Sequence, residues 1–289
     1  MSDQSLHFRG TLAKIFDDPT PESLINNRYL RHMVDLMEYT TFSDTEKQDL
    51  FNLMLLVARK LVAVWSHNQE YIAIEDKLIA EARRAPIMKG DSIEHLEYSQ
   101  VLFTEFDEFL VQTKSALDHL VKIPAIIFGR NRWSMRTFGS KGKDVIKALR
   151  HNVPGEDRPA AKAAALIIEN AEKWLKATID ARDKINHFID GGINFEHFSV
   201  HLLKDEAVEL LKVPMWSPQQ PIRDFLSVVW ENLFMLCEDF TATLLGARLR
   251  PEFAFFHGRP CSGSLESPWK VTSREQMEKE TSKPGWRKG

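Results

Sequence analysis

The stretch that decides the fold reads PAAKAAALIIENAEKWLKATIDARDKINHFI, residues 159–189, and Gly191 and Gly192 follow it closely. Apolar and small residues recur in it at alternating four- and three-residue steps, the spacing of one face of an α-helix. This seam consists of Ala164, Ile168, Ala171, Leu175, Thr178, Arg182, Ile185 and Ile189. Glycine just past the last periodic residue is a common helix end. The pattern therefore predicts a long amphipathic helix that is stopped by the two glycines.

Arg182 is the exception within this seam, because it stands where a leucine would be expected. Burying a guanidinium group without partners is costly. The side chain must therefore pair with another group, extend to solvent, or line a polar cleft. This conflict makes the end of the helix the first candidate for a functional site.

Helical patterns also occur on both sides of this stretch. We predict helices at 21–37, 44–64, 71–84, 93–127 with a kink or an end at Pro124, 144–150 and 221–244. The second of these should begin with a capping box of Ser43 and Glu46. Phe198, Val200 and Leu202 alternate as strand residues do, so a small β-hairpin is expected near 194–215. The predicted fold is all-α, a helical bundle with long antiparallel helices and that small insertion.

Three regions differ in composition along the chain. Residues 1–92 form a predicted N-terminal helical extension, and residues 93–255 form the predicted helical bundle. Residues 256–289 are rich in Pro, Gly, Ser and Lys, so we expect a flexible C-terminal tail. The sequence shows no internal repeat.

The overall composition favours a globular cytoplasmic protein. The chain has 289 residues, 43% of them hydrophobic and 27% charged, with a net charge of −3. A protein that is basic throughout is thus excluded, and contact with a nucleic acid would need a local patch. Cys237 is expected in the core and Cys261 as a free thiol. The N-terminus lacks the pattern of a signal peptide, and we expect no membrane-spanning stretch of ~20 apolar residues.

Polar side chains crowd the end of the 159–189 helix. On an ideal helix Asn186 lies about 40° from Arg182, and His187 lies about 40° from Asp183. Arg182 and His187 are themselves about 140° apart. They can converge on one phosphate only if the helix bends or a second subunit completes the site. This geometry favours a dimer.

These side chains suit the cleavage of RNA without a metal ion. A histidine can take up or release a proton near neutral pH, as attack by the ribose 2′-hydroxyl requires. Arg182 can hold the non-bridging phosphate oxygens bidentately as charge develops on them. Asp183 can orient the imidazole of His187 and favour its protonated form.

The segment Arg182-Asp183-Lys184-Ile185-Asn186-His187 resembles the signature of the HEPN ribonucleases, an arginine followed by a histidine with a polar residue directly after the arginine. Asp183 takes the polar position. The helix around Ser115–Leu120 also looks like an earlier bundle helix of that family, and the resemblance covers roughly residues 95–250. It implies a metal-independent endoribonuclease whose site forms at a dimer interface, with a toxin or antiphage defence effector as its candidate role. Arg182, Asp183, Asn186 and His187 would be its catalytic residues.

A purely structural explanation of the same residues stays open. Arg182 can form a salt bridge to a carboxylate within the bundle, and His187 can act as a cation at the helix C-terminus. The chain would then be a non-catalytic helical module for dimerisation or protein interaction that retains the motif for structural reasons.

A basic segment precedes the motif helix. Between 122 and 150 the chain has eight basic residues and one acidic residue, with Phe128, Trp133 and Phe138 among them. Such a loop can hold a phosphate backbone and stack a base, or its aromatic rings can tuck into the bundle. The candidate RNA-binding residues are Arg130, Arg132, Trp133, Arg136, Lys141 and Lys143.

Other sites are weaker. His197 and His201 are four residues apart, but no cysteine or carboxylate pair at ligand spacing accompanies them, so we expect no metal. Glu105, Asp107 and Glu108 lack the Glu-x-x-His companion of di-iron bundles and should form a solvated face. We expect no cofactor. The expected partners are RNA and a second copy of the chain, with an antitoxin or another protein as a further candidate, and no membrane.

Overall fold

The computed structural model describes residues 16–84, 99–139, 142–151, 158–187, 195–205, 208–258 and 266–276. The described chain is mostly helical. Its α-helices are α1 (His32–Met37), α2 (Asp44–Arg84), α3 (Gln100–Leu120), α4 (Pro124–Phe128), α5 (Lys143–His151), α6 (Arg158–Asn170), α7 (Lys176–His187) and α8 (Ile222–Leu245). π-Helical segments at Ile25–Arg31 and Ala171–Leu175 precede α1 and α7, and short 3₁₀ helices lie at Pro21–Ser23, Phe195–Phe198 and Gly246–Arg248.

The strands form three small antiparallel pairs. β1 (His201–Asp205) and β2 (Val208–Lys212) make a hairpin inside the predicted range 194–215, which confirms that prediction. β3 (Met215–Ser217) pairs with β4 (Gln220–Pro221), and β5 (Phe253–His257) pairs with β6 (Trp269–Ser273). The prediction of a mostly helical chain is confirmed.

α2 is one helix of 41 residues, whereas two helices were predicted in its place. Its buried face continues beyond Val64 through Asn68, Tyr71 and Glu75. Because two of these core-facing residues are polar, the hydrophobic pattern ends although the buried face does not. The prediction of a break between 64 and 71 was therefore wrong.

The predicted capping box opens α2. The Ser43 backbone N–H donates to Glu46 Oε2 at 2.8 Å, and the Glu46 N–H donates to Ser43 Oγ at 3.3 Å. The hydrogen bond from the Ser43 backbone lowers the pKa of Glu46. These reciprocal bonds confirm the predicted helix start.

α3 packs beside α2, with contacts that run in opposite directions along the two helices. His67 Nδ1 lies 2.7 Å from Glu105 Oε2, and Lys60 Nζ lies 2.8 Å from Gln112 Oε1. α3 ends at Leu120, and Pro124 is the first residue of α4. The predicted end at Pro124 agrees with this break, because proline has no N–H for the preceding helix.

The decisive stretch 159–189 is helical over its described part but is not one regular helix. The π-helical segment Ala171–Leu175 interrupts it. Trp174 Nε1 donates to Asn170 Oδ1 at 2.6 Å, and Asn170 Nδ2 donates to the Leu166 carbonyl at 2.9 Å. The predicted stop at Gly191 and Gly192 lies outside the described residues.

A buried ion pair joins the N-terminal region to α8. Arg28 Nε lies 2.9 Å from Glu238 Oε1, and Arg28 Nη2 lies 2.6 Å from Glu238 Oε2. The two side chains are only 6% and 1% exposed. The Arg28 guanidinium also lies over the ring of Phe234, 5.2 Å from its centroid. The charges are therefore held by several contacts in a position shielded from water.

One hydrophobic core crosses the predicted boundary at residue 92. Ile25 and Leu30, which precede α1, belong to the same cluster as Phe106 of α3 and Leu233 of α8. The core thus contains residues from both sides of the predicted boundary, and the division into an extension and a bundle stays a prediction.

The predicted tail is structured where it is described. β6 lies within it, the indole Nε1 of Trp269 donates to Asp239 Oδ1 at 2.8 Å, and the Trp269 carbonyl is 2.7 Å from His32 Nε2. Residues 266–276 thus contain regular structure, and the flexibility of the tail stays a prediction. The strand has only two alternating apolar residues, Trp269 and Val271. The polar composition of the surrounding segment therefore concealed it in the sequence. Cys237 is buried as predicted, and Cys261 lies outside the described residues.

Among the residues that the structure describes, one helix, α2, has the length and apolar composition of a membrane span. No stretch of ~20 uninterrupted apolar residues was predicted from the sequence. Core helices of soluble proteins can have the same length and apolar composition, and α2 buries Leu50, Leu61 and other residues in the core. The feature is weak evidence for a membrane.

We predict that Glu238→Gln destabilises the fold by about 3–5 kcal/mol, because it leaves the Arg28 cation buried without its counter-charge. The measurement is the free energy of unfolding in urea. The double variant Arg28→Met/Glu238→Leu removes both charges and should recover much of this loss. A Glu238→Gln protein as stable as wild type would contradict the role given to the pair.

Candidate functional site

The motif lies on α7, which is helical without interruption from Lys176 to His187. The backbone of Arg182, Asp183, Asn186 and His187 therefore follows one helix, as predicted. The side chains of Asn186 and His187 lie outside the described residues. Because the helix is continuous between Arg182 and His187, the angle of about 140° expected between these two positions applies to this segment.

Arg182 lies at the contact between α7 and α3. Its side chain is 32% exposed, and its Nη1 donates to Asp183 Oδ1 at 3.1 Å. It also interacts electrostatically with Asp107 of α3. The expected departure from an apolar seam is thus accommodated by partial exposure and by two carboxylates.

Asp107 was missed as a partner of Arg182. It was predicted on a solvated face, but its Oδ1 is buried and has no hydrogen-bond partner among the described residues. Burial and the neighbouring Glu108 raise the pKa of Asp107, whereas Arg182 opposes this shift. The side chain of Glu105 is only 17% exposed and pairs with His67, so the solvated face is corrected for both residues. The reason is that α3 is covered by α2 on one side and by α7 on another.

The basic loop lies at the other end of α3. Trp133 Nε1 donates to the Val121 carbonyl at 2.6 Å, and the Phe138 backbone N–H donates to Asp118 Oδ1 at 2.6 Å. Asp118 is eleven residues beyond Asp107 on α3, which corresponds to about 16 Å along the helix axis. The basic loop and Arg182 therefore lie at different positions along the axis of α3.

The candidate RNA-binding residues differ in their exposure to solvent. Arg130, Arg132, Arg136 and Lys143 are exposed, and Arg130 pairs with Asp49 at 3.5 Å. Lys141 lies outside the described residues.

Trp133 is only 3% exposed, so its ring offers no face to a base, and its predicted stacking role is corrected. The alternative in which the aromatic rings tuck into the core holds for Trp133 and Phe138, since Phe138 is 1% exposed. Their apolar area and the indole hydrogen bond anchor the loop to α3.

The described residues contain no cluster of three or more His, Cys, Asp or Glu residues that could hold a metal ion. His197 is exposed, and His201 Nε2 is 2.8 Å from Ser199 Oγ. The two histidines that suggested a metal pair thus have different surroundings.

A second polar cluster lies between α2 and α8 and was not predicted from the sequence. Glu75 is fully buried, and its Oε2 lies 3.0 Å from Arg223 Nη1. The same Nη1 donates to Asp76 Oδ1 at 2.9 Å, while the hydroxyl of Tyr71 has no partner among the described residues. Because Arg223 shares its charge with Asp76, burial dominates and raises the pKa of Glu75 to about 7.

The chain was compared with protein-family models, with curated proteins and with solved structures, and none of them matched.

We predict that Glu75→Gln flattens the pH dependence of stability. A carboxyl group whose pKa rises from 4.5 to about 7 on folding contributes stability that is fully present below pH 4.5 and is lost as the pH rises through about 7. Wild type should therefore lose stability relative to Glu75→Gln between pH 5 and pH 8. The measurement is the unfolding midpoint at each pH.

The matched control is Glu70→Gln, which changes an exposed carboxyl group on the same helix. It should keep the wild-type pH dependence. Parallel curves for Glu75→Gln and wild type would show that Glu75 does not titrate in this range.

Proposed function

We propose that the chain is a metal-independent endoribonuclease of the HEPN type, with a toxin or antiphage defence effector as its role in the cytoplasm. The observation that carries this proposal is Arg182, a half-exposed guanidinium in an otherwise apolar seam, on a helix that continues unbroken to His187. A long antiparallel helical bundle would provide the rigid support that such a site needs.

The proposed reaction needs no cofactor. The ribose 2′-oxygen forms a bond to the adjacent phosphorus, and the bond from phosphorus to the 5′-oxygen breaks. A base takes the proton of the 2′-hydroxyl, an acid protonates the leaving 5′-oxygen, and the products are a 2′,3′-cyclic phosphate and a 5′-hydroxyl. His187 serves in this proton transfer.

The other motif residues act around the phosphate. Arg182 holds the non-bridging oxygens, where negative charge grows in the transition state. Asp183 already accepts a hydrogen bond from Arg182, so we assign it the positioning of that guanidinium as well as of His187. Asn186, one turn beyond Arg182, would contact the phosphate or the ribose through its amide.

A dimer is proposed because of where the two residues lie on α7. Their positions are about 140° apart on an unbroken helix, which favours a site completed by a second copy. A two-fold axis beside α7 would place Arg182 of each copy near His187 of the other. RNA and the second copy are thus the proposed partners, and an antitoxin or another protein is a further candidate.

The basic loop would bind the RNA chain away from the scissile bond. Arg130, Arg132, Arg136 and Lys143 are exposed and can contact phosphates. Trp133 is left out of this set because it is buried. Since the loop lies about 16 Å along α3 from the level of Arg182, one RNA strand would have to extend from one to the other.

The competing proposal is a non-catalytic helical module. It is favoured by the carboxylates of Asp183 and Asp107, because both interact with Arg182 and can account for its position without a catalytic role. In that case Arg182→Ala should lower the free energy of unfolding and change no activity.

We predict that the purified protein cleaves single-stranded RNA in EDTA and that His187→Ala lowers the rate about 10²–10⁴-fold, the usual contribution of general acid–base catalysis. Arg182→Ala should also lose activity. Lys184→Ala is the matched control, because Lys184 is an exposed residue on the same helix. If wild type and His187→Ala show the same background cleavage, the proposed ribonuclease activity is refuted.

Mixing the two inactive variants tests whether the site is shared. If Arg182 of one copy works with His187 of the other, each Arg182→Ala/His187→Ala heterodimer regains one intact site. Random exchange of subunits should then restore about a quarter of the wild-type activity. Mixtures that remain inactive, although subunit exchange is demonstrated, would place both residues in one copy.

A further inference from the structure

Three basic side chains meet on the face shared by α2 and the end of α3. Lys122 Nζ lies 3.4 Å from His119 Nδ1. Lys60 Nζ on α2 donates at 2.8 Å to Oε1 of Gln112, which lies two turns before His119 on the same face of α3. All three basic residues are half-buried. Both lysines act electrostatically on His119, and we call the three residues the basic trio.

The positive charge of the basic trio is poorly neutralised. Neither Lys60 nor Lys122 forms an ion pair with any described residue. Two acids are close by. Asp118 Oδ1 already accepts from Lys114 Nζ at 2.5 Å and from the Phe138 backbone N–H. Glu108 Oε2 accepts at 3.2 Å from Nε2 of Gln112, the residue that Lys60 contacts. Burial, Lys122 and Lys60 lower the pKa of His119, and Asp118 only partly opposes them. Half-buried like charges that pair with none of the described acids are unfavourable, so this face is suited to an anion.

The donors of the basic trio are arranged for an oxyanion. An ammonium group can only donate, so Lys122 makes His119 Nδ1 the acceptor, and the neutral imidazole carries its proton on Nε2. The trio can therefore offer ammonium N–H groups and an imidazole N–H together. Lysine binds phosphate as a point charge, and phosphate oxygens accept several such bonds.

We propose that Lys60, His119 and Lys122 form a binding site for one phosphate group of the RNA backbone, separate from the Arg182 motif. The naming of RNA as the ligand rests on the ribonuclease function proposed above. Within the site, His119 lies about 18 Å along α3 and about 120° around it from Asp107, which interacts with Arg182. It lies at the same end of α3 as the basic loop. The basic trio therefore holds the substrate strand and does not take part in the bond cleavage.

The test uses the full chain and an RNA in which every 2′-hydroxyl is methylated, because such a strand binds but has no nucleophile for cleavage. Affinity is measured by fluorescence anisotropy over a range of salt concentrations. Lys60→Gln and Lys122→Gln should each weaken binding several-fold and reduce the salt slope by about 1. Lys77→Gln, an exposed lysine near the far end of α2, is the matched control and should bind like wild type.

A second readout follows His119 directly by NMR titration. The methylated RNA should raise the pKa of His119, because an anion offsets the effect of the two lysines. An unchanged pKa, or normal binding by both lysine variants, would overturn the proposal. A shift caused by inorganic phosphate but not by the RNA would also overturn it and assign the site to a free phosphate compound.

The outcomes separate this site from the catalytic proposal. If wild type does not cleave RNA but the lysine variants still lose affinity, the phosphate site stands without the enzyme. If wild type cleaves RNA, Lys60→Gln should raise KM and leave kcat unchanged. Cleavage together with wild-type affinity and KM in both variants would remove the phosphate site and leave the ribonuclease. Each lysine substitution removes a repelling charge, so we expect the unfolding midpoint of both variants to be no lower than that of wild type. A lower midpoint would reveal misfolding.

Discussion

The buried pair of Arg28 and Glu238 is the constraint on which the arrangement of the helices depends. Two desolvated charges are tolerated only when their hydrogen-bonding geometry is maintained, so the segment before α1 and the middle of α8 have one permitted alignment. α8 in turn contacts α2 through Trp230 and Trp65, whose ring centroids are 5.4 Å apart. Apolar packing alone would allow sliding, whereas this pair fixes the register.

The helical elements could be predicted because their signals are local. The reciprocal bonds of Ser43 and Glu46, the end of α3 before Pro124 and the start of α8 after Pro221 each follow from a few adjacent residues. Features that depend on contacts between residues distant in the sequence were not predicted. Asn68 and Glu75 keep α2 continuous through polar residues in the core, and Trp269 orders part of a segment whose composition resembled a tail.

The candidate site could be predicted only in part for the same reason. The unusual position of Arg182 in an apolar seam is visible in the sequence, and the structure places it beside α3. Its proximity to Asp107 depends on how α7 packs, which no local spacing encodes. Trp133 illustrates the opposite error: an aromatic residue among arginines suggests stacking on bases, but its indole hydrogen bond and burial anchor the loop.

The π-helical segment Ala171–Leu175 has a consequence for how this chain can vary. Such a segment holds one more residue per turn than an α-helix, so it sets the rotational phase of α7 relative to α6. Deleting a single residue there would turn every following side chain by about 100° and move Arg182 off the face toward α3. Substitutions around Trp174 can be absorbed by local repacking, but changes of length cannot. Length conservation between Asn170 and Arg182, more than sequence identity, is thus the property by which relatives with the same orientation of this arginine can be recognised.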